Sequence, residues 1–192
     1  TVVHLRGHFI VPQSLTVAAN CRFVGHDGTC LSFKNNSCLI VRNADASFEN
    51  CMLEKNADKD MYSFLSASTP LIDARDAKLA FERCEFVSNT STPQGIIQAV
   101  KCSISMVSSG ITIQTLGQAV GIQCLKSSIR SDNDRFSLSG ESAVAFALSD
   151  SMFELASPKF ILVADKARCA ELFASVYAFS ENVFANEMHT SA

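Results

Sequence analysis

A nine-residue pattern recurs along the chain and constrains its fold more than any other feature. It has cysteine in the fourth place and an apolar residue in the sixth, and it occurs as AANCRFVGH at 18–26, FENCMLEKN at 48–56 and FERCEFVSN at 81–89. Weaker matches extend it, which gives anchors at positions 21, 51, 84, 109, 127, 158 and 182. The steps between anchors are uneven, roughly 20 to 30 residues, and periods of this size are typical of solenoids.

The residues inside each unit indicate β-strands. Apolar residues alternate with others, as in Leu79 and Phe81, and this alternation differs from the spacing of a helix. If each unit is one coil, successive coils stack about 4.8 Å apart as parallel strands and equivalent residues lie above one another. The sequence therefore predicts an inward ladder of small apolar side chains from Cys21, Cys51 and Cys84.

The units also resemble the right-handed parallel β-helix family of the pectate-lyase-like superfamily, in which units of the form apolar-x-apolar-x-Asn-Cys-x-Phe are common. The resemblance covers most of residues 10–188. We predict one all-β domain over residues 1–192, a right-handed parallel β-helix solenoid of about seven coils and a fragment of a longer chain. The competing interpretation is a β-sandwich, but Asn-Gly is absent and Asp27-Gly28 is the only Asp-Gly, so hairpin signals are scarce.

Composition narrows the range of partners. The net charge is -3 and the 16 basic residues are scattered, which argues against a nucleic-acid or anionic-membrane partner. No apolar run approaches the roughly 18 residues of a membrane span. The eight cysteines show neither CxxC nor Cys/His spacing for zinc, so we predict no metal and no cofactor. Whether these cysteines are free thiols or form disulfides stays open.

Two segments rich in turn-forming residues, 55–70 and 88–95, are predicted to leave the coils as loops. Loops on a rigid scaffold often carry specificity. The apolar residues Met61, Tyr62 and Phe64 in the first loop are therefore the predicted ligand-binding group. The alternative is that this stretch folds back as an extra strand.

The weak catalytic candidates are Asp73, Arg75 and Asp76 in the stretch LIDARDA. Alternation places Asp73 and Arg75 on one strand face, and cleavage of polysaccharides needs carboxylates assisted by a basic group. A salt bridge or a solvated strand edge is the alternative interpretation. A second candidate is His26 in GHDG, which faintly resembles the Gly-His-Gly of β-helix polygalacturonases but differs at the third place, so a plain turn is favoured there.

Possible metal ligands of other kinds are also weak. The acidic pairs in DKD at 58–60 and DND at 132–134 lack the glycine-bearing spacing of a calcium loop, which favours solvated loops. His4 and His8 share one face of a predicted strand, but their positions along it place them about 13 Å apart. They cannot share a metal without other ligands.

A more particular resemblance rests on Phe-x-x-Asn, which begins at Phe33, Phe86 and Phe179. The stretch FVSNTSTPQGIIQA at 86–99 resembles the repeat of chlamydial polymorphic membrane proteins, in which Phe-x-x-Asn is followed by Gly-Gly-Ala-Ile. Here only Gly-Ile-Ile stands in the second half. The resemblance implies an autotransported, β-helical adhesin passenger at a bacterial surface, with no catalytic residues.

The leading prediction is a non-enzymatic scaffold or adhesin segment, at the bacterial cell surface or secreted, that binds a host-cell protein or glycan through loops or a strand face. The alternative is a fragment of a carbohydrate-active enzyme, a polysaccharide lyase or hydrolase, that acts on an acidic polysaccharide. A third hypothesis is a purely structural spacer. An enzyme would place two or more of Asp73, Arg75, Asp76 and a residue from the neighbouring coils in one groove, whereas a binder would expose apolar or aromatic loop residues.

Overall fold

The computed structural model describes residues 1–34, 36–55 and 69–180. In these ranges every regular element is a β-strand, and the 22 strands form three sheets in which all neighbours are parallel. The chain visits the sheets in the fixed order A, B, C. The predicted all-β parallel solenoid is confirmed. Within the same ranges no helix has the length and apolar character needed to cross a membrane.

The strands of each sheet follow one another at every third place in the chain. Sheet A consists of β1 Val2–Leu5, β4 Cys21–Gly25, β7 Asp45–Glu49, β10 Lys78–Glu82, β13 Ser103–Val107, β16 Ser128–Asp132, β19 Met152–Ala156 and β22 Val176–Ser180. Sheet B consists of β2 His8–Val11, β5 Cys30–Phe33, β8 Met52–Lys55, β11 Glu85–Ser88, β14 Gly110–Gln114, β17 Arg135–Ser139 and β20 Lys159–Val163. Sheet C consists of β3 Leu15–Val17, β6 Leu39–Arg42, β9 Ile72–Arg75, β12 Ile97–Val100, β15 Gln118–Leu125, β18 Ser142–Ser149 and β21 Lys166–Phe173.

The coil number is close to the predicted seven. Sheets B and C each have seven strands, so seven coils are separated by six stacking intervals, and β22 follows them. From β10 onward the strands of sheet A begin at Lys78, Ser103, Ser128, Met152 and Val176, so the step from coil to coil is almost constant. The repeat is therefore regular, and the uneven steps predicted from the cysteine pattern are wrong for these coils.

From Asn43 onward, two of the three corners of the coils are each turned by a single residue in the left-handed region, with φ between 48° and 54°. Between sheets A and B these residues are Asn50, Arg83, Ser108, Asn133 and Ser157. Between sheets C and A they are Asn43, Asp76, Lys101, Lys126, Asp150 and Ala174. Few of them are asparagine, the usual choice beside glycine. Stacking stabilises the conformation, because nine of these eleven residues donate their backbone N–H to the next coil, as Arg83 N does to Val107 O at 3.0 Å.

The predicted cysteine ladder is wrong for Cys21. Cys51 and Cys84 each directly follow a left-handed corner between sheets A and B, and their following residues are paired in register. Cys21 instead begins β4 and lies opposite Ala46, so the first copy of the nine-residue pattern matches the others in residue type but not in its place in the coil. All eight cysteines are free thiols. Burial raises the pKa of the Cys84 thiol to about 12, so this thiol is protonated and inert.

The interior is a continuous apolar core built from stacked columns. In sheet A the rings of Phe23 and Phe48 stack with centroids 4.7 Å apart, and those of Phe48 and Phe81 follow at 5.7 Å. Phe86 of sheet B meets Phe81 edge to face at 4.9 Å. Each such aromatic contact adds about 0.5–1.5 kcal/mol beyond the burial of apolar area. Because side chains fill the interior, ligands must bind on the outer faces.

Candidate binding face on sheet C

The outer face of sheet C differs from the other two faces in its shape. Its strands lengthen from three residues in β3 to eight in β15, β18 and β21. The strict alternation of buried and outward residues is interrupted in β15, where Gly121 and Ile122 are both buried, and in β18, where Ala145 and Phe146 are both buried. A Cβ atom on Gly121 would lie 2.5 Å from the carbonyl oxygen of Ala145, so only glycine fits at this irregular point.

Two grooves lie on this face and join at its centre. Their volumes are about 530 Å³ and about 430 Å³, and both are lined by Gln123, Ala147 and Glu171. The larger groove adds polar residues, among them Gln118, Ser142, Lys166 and Arg168. The smaller adds mainly apolar residues, among them Val100, Leu125, Leu148 and Phe173. The face therefore offers a polar channel continuous with an apolar one.

A column of polar side chains runs across the strands at the centre of the face. Asp73, Gln98 and Gln123 are paired in register on β9, β12 and β15, and the column continues with Ala147 and Glu171 on β18 and β21. Neighbouring members are one strand spacing apart, about 4.8 Å. The small side chain of Ala147 leaves space between Gln123 and Glu171, which is where the two grooves meet.

Two oxygen atoms of this column are buried without a hydrogen-bond partner among the described residues, Asp73 Oδ1 and Gln123 Oε1. A buried acceptor that lacks a donor costs about 1–3 kcal/mol, and native proteins contain few of them. Asp73 Oδ1 has some compensation, since Arg75 Nε lies 3.8 Å away. Gln123 Oε1 has no such ion pair, so it is the clearest sign on this face of a site for an external donor.

The structure places the three catalytic candidates in different surroundings. Asp73 and Arg75 share the outer face of sheet C, whereas Asp76 turns the corner to sheet A with φ 50°. Arg42 binds Asp73 twice, through Nη2 to Oδ2 at 2.5 Å and through Nη1 to the backbone oxygen at 2.7 Å. The residues paired with Asp73 on the adjacent strands are Ile40 and Gln98. Asp73 is thus part of an arginine ion pair rather than of a carboxylate pair.

Other candidate residues from the sequence lie at a turn after β4 or outside the described residues. The predicted loop group Met61, Tyr62 and Phe64, and the acidic pair in 58–60, lie outside the described residues. His26 follows β4 at a turn closed by Thr29 N and His26 O at 2.9 Å, and its ring stacks on that of His4 with centroids 5.6 Å apart.

The acidic pair in 132–134 cannot hold a calcium ion together. Asp132 is on the outer face of sheet A, whereas Asp134 is buried and accepts hydrogen bonds from Ser109 N and Ser131 Oγ, both at 2.6 Å. Burial raises the pKa of the Asp134 carboxyl to about 6. The two carboxylates therefore face opposite sides of the wall.

Possible metal ligands form one group among the described residues, consisting of His8, Cys30 and Glu54 on sheet B. This group lies on a different side of the solenoid from the grooves of sheet C. The sheet C face itself presents amides, charged groups and an apolar strip, which suit hydrogen bonding and stacking.

Sequence reasoning missed Gln98 and Gln123, although a signal was present. The two glutamines are one coil repeat apart, since Gln98 precedes Gln123 by the same step that separates the starts of β13 and β16. The uneven anchors hid that relation, because they combined residues from two different corners: Ser109 lies between sheets A and B, whereas Ser127 lies between sheets C and A.

The family resemblances find no support in the register of the coils. Phe33 ends β5, Phe86 is the second residue of β11, and Phe179 is in sheet A, so the three Phe-x-x-Asn matches form no ladder. No protein-family model matches the chain, and a search of curated proteins gives no match either. What the structure shows is a parallel β-solenoid.

Proposed function

We propose that the protein is a non-catalytic binding scaffold that holds an extended glycan on the outer face of sheet C, as a segment of a bacterial surface or secreted adhesin. The observation that carries the proposal is the column Asp73, Gln98 and Gln123, with a buried acceptor that lacks a donor beside two joined grooves. The location is suggested by the resemblance of the sequence to β-helical passenger repeats.

The chemistry of the face suits a chain of sugars. Amide side chains both donate and accept hydrogen bonds, as a row of hydroxyl groups requires, and Gln123 Oε1 needs a donor. The apolar strip with Leu125 and Phe173 offers a surface for the C–H faces of sugar rings, since an aromatic ring provides large apolar area with defined geometry. The strand spacing of about 4.8 Å is close to the length of one pyranose residue in an extended chain.

The carboxylates of the column argue for binding rather than cleavage. Glycoside hydrolysis needs two carboxyl groups about 5 to 9.5 Å apart across the scissile bond. Asp73 and Glu171 are four strands apart in the column, which is roughly 19 Å at the usual strand spacing. Asp73 is engaged by Arg42, and Glu171 accepts a hydrogen bond from Arg168 Nη1 at 2.6 Å.

The test is binding of the purified protein to a panel of neutral and acidic polysaccharides, followed by Gln98→Ala and Gln123→Ala. Each change is expected to weaken binding about tenfold, the effect of about 1.4 kcal/mol. Gln114→Ala is the matched control, because Gln114 is an exposed glutamine at the end of β14 on sheet B. Unchanged affinity in both sheet C variants, or no binding across the panel, would overturn the proposal.

The same samples separate the competing functions. Release of reducing ends or unsaturated uronides that Asp73→Ala abolishes would establish the enzyme alternative. Binding of a host-cell protein that Phe173→Ala abolishes while Gln98→Ala leaves it intact would place a protein, not a glycan, on the apolar groove.

A further inference from the structure

Three potential ligands from three successive coils meet on the outer face of sheet B. His8 on β2 lies opposite Cys30 on β5, and Cys30 lies opposite Met52 on β8. Glu54 is the second residue beyond Met52, so it points to the same face. The imidazole nitrogen, the Cys30 Sγ and a Glu54 carboxylate oxygen all lie within 4.8 Å of one another, and His8 Nε2 is 3.5 Å from Glu54 Oε1.

These separations suit a tetrahedral metal ion. With bonds of about 2.0–2.3 Å, the edges of a zinc tetrahedron are roughly 3.3–3.8 Å. The edge from His8 to Glu54 already has this length, and the thiol needs only about 1 Å of side-chain adjustment to reach it. A nitrogen, a sulfur and an oxygen ligand together favour a borderline ion such as Zn²⁺ over the hard ions Ca²⁺ and Mg²⁺, which take oxygen ligands.

We propose that His8, Cys30 and Glu54 bind one divalent ion of the zinc class, with a fourth position open to water, and so pin the first three coils together. Cys30 also lines a groove of about 660 Å³ that Arg6, Met52 and Glu85 help to form. This groove gives the ion and a water molecule access to the thiol.

Without a metal, the Glu54 carboxylate already affects the protonation of the Cys30 thiol. Burial, and then the nearby Glu54 carboxylate, raise the pKa of the Cys30 thiol to about 11. On binding, the ion takes the thiolate as a ligand and the thiol proton passes to solvent, so one proton is released for each ion bound. The cation removes the repulsion between thiolate and carboxylate that favours the protonated thiol.

The sequence predicts no metal site because its ligands are distant from one another along the chain. Each of the three coils supplies one ligand, so a whole coil separates His8 from Cys30 and Cys30 from Glu54, whereas familiar zinc motifs place two ligands close together in sequence. His8 does not pair with His4, whose ring stacks on His26 at the other sheet.

The experiment titrates the reduced protein with Co²⁺, whose tetrahedral thiolate complexes show a near-ultraviolet charge-transfer band and strong visible bands. One equivalent is expected to produce both, and Zn²⁺ is expected to displace Co²⁺ and remove them. Cys30→Ser should abolish the charge-transfer band, and His8→Ala and Glu54→Gln should each weaken binding at least tenfold. Cys21→Ser is the control, because it removes a partly buried cysteine on sheet A.

Far-ultraviolet circular dichroism verifies that each variant keeps its sheet content, and His8, which is exposed, is the change least able to disturb folding. Absence of the charge-transfer band in the wild-type protein would overturn the proposal. So would a band that survives Cys30→Ser, or an affinity that neither His8→Ala nor Glu54→Gln changes.

Discussion

Two polar columns run through the same coils, and they differ in whether their buried polar atoms have hydrogen-bond partners. At the corner between sheets C and A, the backbone N–H groups of Cys102, Ser127 and Ser151 each donate to the serine hydroxyl of the next coil, at 3.0–3.1 Å. On the outer face of sheet C, Asp73 and Gln123 each keep a buried oxygen without a hydrogen-bond partner among the described residues. The first column stabilises the stack, and the second is where we propose a ligand binds.

At the corner between sheets A and B, buried backbone N–H groups likewise donate to a side chain of the next coil. Cys84 N donates to Ser109 Oγ at 3.1 Å, and Ser109 N donates to Asp134 Oδ1 at 2.6 Å. The difference teaches that a polar residue recurring once per coil is not evidence of a site. What separates the columns is whether the next coil supplies the missing partner.

The largest expected effect comes from changing the shape of the sheet C face. Gly121→Ala places a Cβ atom 2.5 Å from the Ala145 carbonyl oxygen, and this backbone atom has little room to adjust. We expect a loss of about 3 kcal/mol or more in the free energy of unfolding, measured by urea denaturation. Gly28→Ala is the control, since nothing lies within 4 Å of its added Cβ and only its φ of 74° opposes alanine. If Gly121→Ala and Gly28→Ala lost equal stability, the close approach to Ala145 at the irregular point would not be the cause of the loss.

The next effect concerns the buried carboxyl at the corner between sheets A and B. The folded pKa of Asp134 is raised to about 6 from 3.8. The stability that the protonated form contributes is therefore lost as the pH rises from about 4 through 6. Asp134→Asn keeps an acceptor for Ser109 N and adds a donor for Ser131 Oγ, so it should stabilise the protein by up to about 3 kcal/mol at pH 8.

The measurement is urea denaturation of Asp134→Asn and wild type at pH 4, 6 and 8. The advantage of the variant should shrink as the pH falls and should vanish near pH 4. Asp132→Asn, on the outer face of sheet A, should show no comparable trend. An advantage that is constant with pH would mean that ionisation of Asp134 is not its cause.

A smaller effect is expected in the paired column itself. Ser127→Ala removes the acceptor of Cys102 N and the donor to Leu125 O, which lie 3.0 and 2.9 Å from the hydroxyl oxygen. Leaving the buried N–H of Cys102 unpaired should cost about 1–2 kcal/mol, seen as a lower urea midpoint. Ser128→Ala, at the next position and outward-facing in β16, should change stability by less than about 0.5 kcal/mol. A similar loss of stability in Ser127→Ala and Ser128→Ala would mean that the hydrogen bonds of the corner column do not stabilise the stack.

The fold could be predicted from the sequence, whereas the binding face could not. Alternation within strands and a phrase that returns once per coil are visible in the sequence, and they suffice for a parallel stack. The prediction failed at Cys21, because an Asn-Cys-x-Phe phrase fits the start of a strand as well as a corner. Gln98 and Gln123 become neighbours only once the register is known to the residue, and His8, Cys30 and Glu54 meet only across three coils.

The smallest expected change in stability accompanies the most informative change in binding. Gln123→Leu replaces a buried acceptor that has no donor among the described residues by an apolar group of similar size, so the free energy of unfolding should stay equal or rise by up to about 1 kcal/mol. Glycan binding should fall about tenfold in the same variant. Calorimetry on one preparation measures both quantities, with Gln114→Leu on sheet B as the control. If Gln123→Leu leaves the solenoid as stable or more stable but weakens binding, Gln123 contributes to ligand binding and not to folding. If it instead loses as much stability as Ser127→Ala, Gln123 stabilises the fold, and the proposed site is wrong.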